Sequence, residues 1–182
     1  MKALLFIGGR LFFICAAAAF ALGLVNAVTE PITEERRQRE LQEALARLFP
    51  DGVAQDAITV EDSKSVAEYY PVHKDGGLVG YILSLREMGY GGEMTILAGF
   101  LLSGEILSAV LMENLETPGL GKKAESAAYM DRFIGTGGAR AVPVRKGMLG
   151  RDEADAITGA SITFMAIGRS LAAGVTFVQD LR

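Results

Sequence analysis

The sequence predicts an α+β protein in which a single N-terminal transmembrane helix precedes an antiparallel sheet with flanking helices. Three observations support this fold class. An uncharged apolar run occupies residues 11–28. Four segments of strand-like composition lie between residues 66 and 113 and are separated by short glycine-containing turns, which is typical of an antiparallel meander. Apolar residues in 162–181 recur at three- and four-residue steps, which indicates a helix with one buried face.

The apolar run is long enough to cross a bilayer, because as a helix it would extend about 27 Å. Lys2 and Arg10 precede the run, and three glutamates follow it. The positive-inside rule then predicts a cytoplasmic N-terminus and an extracytoplasmic remainder. A cleaved signal peptide is the alternative, since residues 25–27 resemble a small-x-small cleavage site, but the length of the run favours a retained anchor over residues 1–28.

Residues 29–50 predict a connecting helix, with Pro31 suited to its first turn. Its apolar positions form a narrow stripe between charged residues: Leu41, Ala44, Leu45 and Leu48. Such a stripe serves either packing against the chain's own domain or docking on a partner subunit. Residues 51–182 are left for an extracytoplasmic domain.

The strand-like segments are bounded by turn residues, and we expect strands over Val66–His73, Leu78–Leu85, Glu93–Leu102 and Glu105–Glu113. The turn Gly89-Tyr90-Gly91-Gly92 separates the middle two. Beyond the last strand we expect a turn over residues 116–121, a short helix over 123–133, a mobile turn over 135–138 and a strand over 141–145.

The final helix opens with a cluster of hydroxyl side chains, Thr158, Ser161 and Thr163, around the small residues Gly159 and Ala160. A helix N-terminus favours an anion such as phosphate, and small residues let a bulky group approach the backbone. The simpler interpretation is an ordinary helix start with Thr158 or Ser161 as the N-cap. The periodicity places six residues on the buried face: Ile162, Met165, Leu171, Val175, Val178 and Leu181.

Composition excludes several classes of function. The net charge of −4 and the absence of recurring basic runs argue against nucleic-acid binding. One cysteine and one histidine rule out an internal disulfide and a four-cysteine metal site, and they disfavour a Ser-His-Asp hydrolase. We expect no metal ligands and no catalytic side chain. Redox or group-transfer chemistry would therefore come from a bound cofactor.

Two motifs carry a resemblance to a known family. The stretch Asp155-x-x-Thr158-Gly159-Ala160-Ser161 resembles the flavinylation signature of the FMN-binding domain family, and Glu116-Thr117-Pro118-Gly119-Leu120-Gly121 is similar to the loop that precedes it in that family. Members include the G subunit of the Rnf electron-transport complex and the C subunit of the sodium-pumping NADH:quinone oxidoreductase. The compact chain resembles the Rnf type.

The resemblance implies FMN attached covalently to Ser161 through a phosphoester bond. The family usually has Thr there; Ser keeps the hydroxyl but lacks the methyl group that restricts the rotamer. It further implies that the flavin is bordered by residues of the two motifs and by the tyrosine of the glycine-rich turn: Thr158, Gly159, Ala160, Thr163, Glu116, Thr117, Gly119, Leu120 and Tyr90.

The same resemblance implies the partners and the location. A flavin transferase would move FMN from FAD onto the chain. The flavin would then relay electrons between other membrane subunits of an Rnf-type complex, including a second flavin-carrying membrane subunit, in ferredoxin/NAD⁺ electron transfer coupled to Na⁺ or H⁺ movement. The chain would be a single-pass protein of a bacterial or archaeal cell membrane, with the flavin domain outside, and it would not turn over substrate alone.

Two other functions remain open at the level of sequence. One is a stand-alone, membrane-anchored flavoprotein reductase, which turnover by the isolated domain with a soluble electron donor would favour. The other is an assembly subunit without a cofactor, in which both motifs are only turns. A colourless protein with no mass increment on the peptide that contains Ser161 would favour the second.

Overall fold

A computed structural model describes residues 2–181, with side chains from residue 6 onward. The chain divides into two compact units, Met1–Glu43 and Ala44–Arg182. The domain boundaries expected after residues 28 and 50 remain predictions, because a division by contacts does not mark the ends of a membrane span.

The first unit contains most of helix α1, Lys2–Leu48. This helix and the C-terminal helix are both long and apolar enough to cross a membrane; the apolar window of α1 is 0% buried, whereas that of the C-terminal helix is half buried. Pro31 lies inside α1, so the expectation that it begins a helix was wrong. Proline lacks the N–H that a residue in a helix interior would donate. Next to Pro31, Thr33 Oγ1 donates to the carbonyl oxygen of Thr29 at 2.9 Å.

The second unit is built on a six-stranded antiparallel sheet in the order β1-β3-β4-β5-β6, with β2 also paired to β3. The four long strands are β3 (Val66–Lys74), β4 (Gly77–Met88), β5 (Glu93–Leu101) and β6 (Ile106–Glu113). They confirm the predicted meander. Strands β1 (Val53–Ala54) and β2 (Ile58–Thr59) were not predicted, because two residues are too few to show a period.

Among the described residues, three α-helices follow the sheet: α2 (Ala127–Met130), α3 (Arg151–Ala156) and α4 (Ser161–Asp180). The single short helix expected over 123–133 is instead α2 flanked by two 3₁₀ turns. The strand expected over 141–145 is irregular. Pro143 cannot donate to a ladder there, and its carbonyl lies so close to Gly168 of α4 that a Cβ would come within 2.6 Å of the oxygen.

The segment expected to be a mobile turn is tied to the sheet. Gly135 N donates to Ile106 O, Ile106 N donates to Thr136 O, and Thr136 Oγ1 donates to Phe133 O. These bonds extend the ladder at the start of β6. Thr136 is buried as a result.

Helix α4 packs on one face of the sheet, mainly against β4 and β5. The predicted buried face was partly wrong, since Ile162 and Leu181 are exposed. The buried residues of α4 include Phe164, Ile167, Leu171, Gly174 and Val178. Small residues in the pattern carry little hydrophobic signal, so the sequence did not reveal that Gly174 faces the sheet.

The other face of the sheet is covered by the end of α1 and the residue after it. A Cβ at Gly80 would lie 2.9 Å from the Phe49 ring, and one at Gly99 would lie 3.0 Å from Leu48 O and 3.5 Å from that ring. The hydroxyl of Ser108 donates to Leu48 O. Ala44 and Leu48 are buried, so these two positions of the stripe pack against the chain's own domain.

Candidate functional site

Three segments that are distant in sequence surround one cavity of about 490 Å³. They are the turn after β4, the loop after β6 and the start of α4. The lining residues are Tyr90, Glu116, Thr117, Leu120, Gly121, Gly159, Ala160, Ser161, Ile162 and Thr163. The structure thus brings together most of the site residues expected from sequence, whereas Thr158 and Gly119 are not among the lining residues.

The start of α4 differs from an ordinary capped helix. Ser161 is the first helical residue, and the N-cap is Ala160, with no side-chain cap. The simpler interpretation, in which Thr158 or Ser161 is the N-cap, was therefore wrong. The first backbone N–H groups of a helix have no partner within the helix. At α4 these groups belong to residues that line the cavity, and the helix dipole adds partial positive charge there.

Gly159 gives the turn before α4 its shape. Its φ of 87° lies in the left-handed region that a residue with a Cβ adopts only with strain. A Cβ there would also come within 3.0 Å of Leu120 Cδ2. Glycine therefore lets the two motifs meet at the cavity.

Thr158 is not among the residues that line the cavity, and its hydroxyl makes hydrogen bonds elsewhere. Its Oγ1 accepts a hydrogen bond from Lys146 Nζ at 2.8 Å and donates to Ala154 O at 3.4 Å. The first hydroxyl of the signature thus connects the turn to the segment upstream of α3. A cofactor contact by Thr158 stays a prediction.

Glu116 is the buried centre of the site, with only 3% of its surface exposed. Its Oε1 accepts from Tyr90 N at 2.7 Å and from Gly91 N at 3.3 Å. Its Oε2 accepts from Thr163 Oγ1 at 2.9 Å. One carboxylate therefore connects all three segments that line the cavity.

Glycines make room for this carboxylate. A Cβ at Gly89 would lie 3.3 Å from Glu116 Cδ, and one at Gly121 would lie 2.9 Å from the same atom. Gly91 packs against the backbone of Leu115, where a Cβ would come within 3.1 Å of Glu116 N. The glycines around Tyr90 thus allow close packing against Leu115 and Glu116. The sequence alone had indicated only a flexible turn.

Apolar side chains form the open part of the cavity. Tyr90 is 70% exposed, Leu120 44% and Ile162 48%. Sequence reasoning missed Gly121 and Ile162 as lining residues. Gly121 was within the loop motif, so its place could have been found, whereas the helical period assigned Ile162 to the core.

The cavity fits FMN. Its volume lies in the range of small-molecule sites. Leu120, Ile162 and Tyr90 offer apolar surface to a flat ring, while the uncapped start of α4 beside Ser161 offers N–H groups to a phosphate. These two kinds of surface lie in one cavity, as a ligand with a ring and a phosphate requires.

The fold and the cavity are those of an antiparallel-sheet domain suited to a flat, phosphate-bearing cofactor. The chain belongs to the FMN-binding domain family. That family's profile matches residues 89–176, which include the glycine-rich turn, the loop and most of α4.

Curated relatives are similar over nearly the whole chain. The G subunit of the Na⁺-translocating ferredoxin:NAD⁺ oxidoreductase complex of Acetobacterium woodii is 32% identical, covering 96% of this chain and 91% of the relative. The G subunit of the ion-translocating oxidoreductase complex of Methanosarcina acetivorans is 26% identical, covering 91% and 89%. The G subunit of the proton-translocating ferredoxin:NAD⁺ oxidoreductase complex of Clostridium ljungdahlii is 24% identical, covering 86% and 82%.

Proposed function

We propose that this chain is the flavin-carrying electron-transfer subunit of a membrane-bound, ion-translocating ferredoxin:NAD⁺ oxidoreductase complex, with FMN joined to Ser161 by a phosphoester bond. The observation that carries the proposal is the cavity between the loop at 116–121 and the start of α4, with Ser161 on its wall. Relatives named as G subunits of such complexes support the assignment to a complex.

Ser161 suits covalent attachment because of its place on α4. It is the first residue of the helix and is partly exposed, and its hydroxyl makes no hydrogen bond to another of the described residues. Thr163, by contrast, is buried and donates to Glu116. Of these two hydroxyls in the cavity wall, that of Ser161 is the one open to an incoming phosphorus.

Attachment would use FAD as the donor, with a flavin transferase as the catalyst. Ser161 Oγ would form a bond to the flavin-side phosphorus as the pyrophosphate bond breaks, with AMP as the leaving group and the hydroxyl proton released to solvent. The uncapped N–H groups of α4 would hold the phosphate oxygens. Bound FMN supplies one- or two-electron transfer, and no side chain of this cavity acts as an acid or a base.

The tether keeps the cofactor with the protein on the extracytoplasmic side of the membrane. Partners are the other membrane subunits of the complex, including one with a flavin of its own. The names of the relatives include both a sodium- and a proton-translocating complex.

The test is in-gel flavin fluorescence of the full-length chain after denaturation, with the transferase co-expressed. We expect fluorescence in the wild type and none in Ser161→Ala. The matched control is Ser161→Thr, which keeps the hydroxyl and should stay fluorescent. Fluorescence that persists in Ser161→Ala, or a wild-type peptide over residues 152–169 without the mass of FMN, would refute the phosphoester.

A further inference from the structure

Glu116 has an unusual environment for a carboxylate. It is buried, and within residues 6–181 it forms none of the ion pairs that the structure records. Its partners are two backbone N–H groups and one hydroxyl, all of which donate. Donors of this kind stabilise negative charge without cancelling it, whereas a cation would neutralise it.

The position of this charge matters because Glu116 also lines the cavity. The carboxylate lies between Gly89 and Gly121, both of which lack the side chain that would displace it. Its two oxygens point in different directions, one to the turn at Tyr90 and the other to α4. The charge is therefore held at a fixed place in the wall, where little water can screen it.

We propose that Glu116 is a positioning residue with an electrostatic effect: it holds the turn and α4 in the arrangement that forms the cavity, and its charge lowers the midpoint potential of the FMN bound there. The inference deepens the proposed function and rests on it. Electrons added to the ring add negative charge, and a fixed negative charge in a poorly screened wall opposes that addition.

Glu116→Gln separates charge from shape. The amide oxygen still accepts from Tyr90 N and Gly91 N, and the amide nitrogen can donate to Thr163 Oγ1. The side chain keeps its size and its bonds but loses the charge. Thr163→Val retains the charge of Glu116 and removes one of the donors that stabilise this charge. Thr163→Ser retains both and is the matched control.

The measurement is the midpoint potential of the flavin in the full-length, detergent-purified chain, followed by absorbance during a redox titration. For Glu116→Gln we expect a higher potential than in the wild type, by at least a tenfold change in the ratio of reduced to oxidised flavin, which is about 30 mV for a two-electron couple. Thr163→Val should shift the potential downward, and Thr163→Ser should match the wild type.

An unchanged or lowered potential in Glu116→Gln would overturn the inference. Glutamine keeps the hydrogen bonds of Glu116, so a residue that acted only through those bonds would leave the potential unchanged. If Glu116→Gln does not fold, Thr163→Val decides: a lower potential supports the inference, and an unchanged one overturns it. Absence of in-gel fluorescence in the wild type would refute the covalent attachment and would leave the inference on Glu116 open to test. The potential of FMN bound without a covalent bond can still be compared among the variants.

Discussion

Two buried tyrosines of the domain differ in their hydrogen bonding. Tyr70 Oη donates to Glu68 Oε2 at 3.0 Å. Tyr129 Oη has no partner among the described residues, although its ring packs against Phe164 and under Arg132. Burial is the largest cause that raises the pKa of each phenol from 10.0 to about 12, and Glu68 adds to the effect at Tyr70. Such a pair allows the contribution of one hydrogen bond to be measured.

At neutral pH we expect Tyr70→Phe to lower the free energy of unfolding by about 1 kcal/mol, because it removes a hydrogen bond. Tyr129→Phe should leave it unchanged or raise it, because the lost hydroxyl has no partner among the described residues. Chemical unfolding of the full-length chain in detergent measures both. Equal losses in the two variants would contradict this difference.

The raised pKa values of the two tyrosines also determine how the free energy of unfolding changes at alkaline pH. Because the folded protein holds both phenolic protons to about pH 12 while the unfolded chain releases them near pH 10, the stabilisation is complete below pH 10 and is lost as the pH approaches 12. Each Tyr→Phe variant should lose less stability than the wild type between those values, as chemical unfolding at a series of pH values would show.

At the scale of elements, the close approach of α4 to the sheet depends on Gly174. A Cβ there would lie 2.7 Å from Phe100 Cζ and 3.4 Å from Leu85 Cδ1. Phe100 and Leu85 are fully buried, so neither can move aside without disturbing its own neighbours. The glycine sets the distance between helix and sheet, and α4 carries Ser161 and Thr163 at its other end.

We therefore expect Gly174→Ala to destabilise the protein by about 1–3 kcal/mol through overpacking, although alanine has the higher helix propensity. Gly147→Ala is the control, since nothing lies within 4 Å of a Cβ at that position. Thermal unfolding of the two full-length variants makes the comparison. A Gly174→Ala protein as stable as the control would show that the helix shifts at little cost.

At the scale of the whole molecule, the orientation in the membrane rests on charge. The apolar segment of α1 has Lys2 and Arg10 on its N-terminal side and Glu30, Glu34 and Glu35 after it. Positive charge is retained on the cytoplasmic side. The domain that holds the cavity would then lie outside, together with its flavin.

Labelling of single cysteines tests this orientation in a Cys15→Ser background. Asp62→Cys, at an exposed site of the domain, should react with a membrane-impermeant maleimide in intact spheroplasts. Lys2→Cys should react only after permeabilisation. The reverse pattern would place the domain in the cytoplasm and contradict the proposed location.

Much of the fold was predictable because its signals are local. The apolar run, the period of the four long strands and the glycine turns between them each lie within a short window of sequence. The predicted segments at 66–73 and 78–85 agree closely with β3 and β4. Failures occurred where the window held no period, as in β1, or where proline and packing overrode it, as at Pro143.

The candidate site was predictable as a set of motifs, without its geometry. The motifs brought Glu116, Thr163 and Tyr90 together, but only as residues that border a flavin. The structure shows that Glu116 receives hydrogen bonds from both of the others and that Thr158 lies outside the cavity lining. Hydrogen bonds between residues so far apart in the chain depend on how α4 packs on the sheet.

The sequence by itself determined the apolar anchor segment, the antiparallel order of the long strands and the family, because composition, period and motif order are properties of the chain. Only the tertiary structure decided which hydroxyl faces the cavity and which is buried, that α4 begins without a side-chain cap, and that one carboxylate joins three segments. Those features are set by contacts between distant residues, and such contacts exist only once the sheet and α4 have packed together.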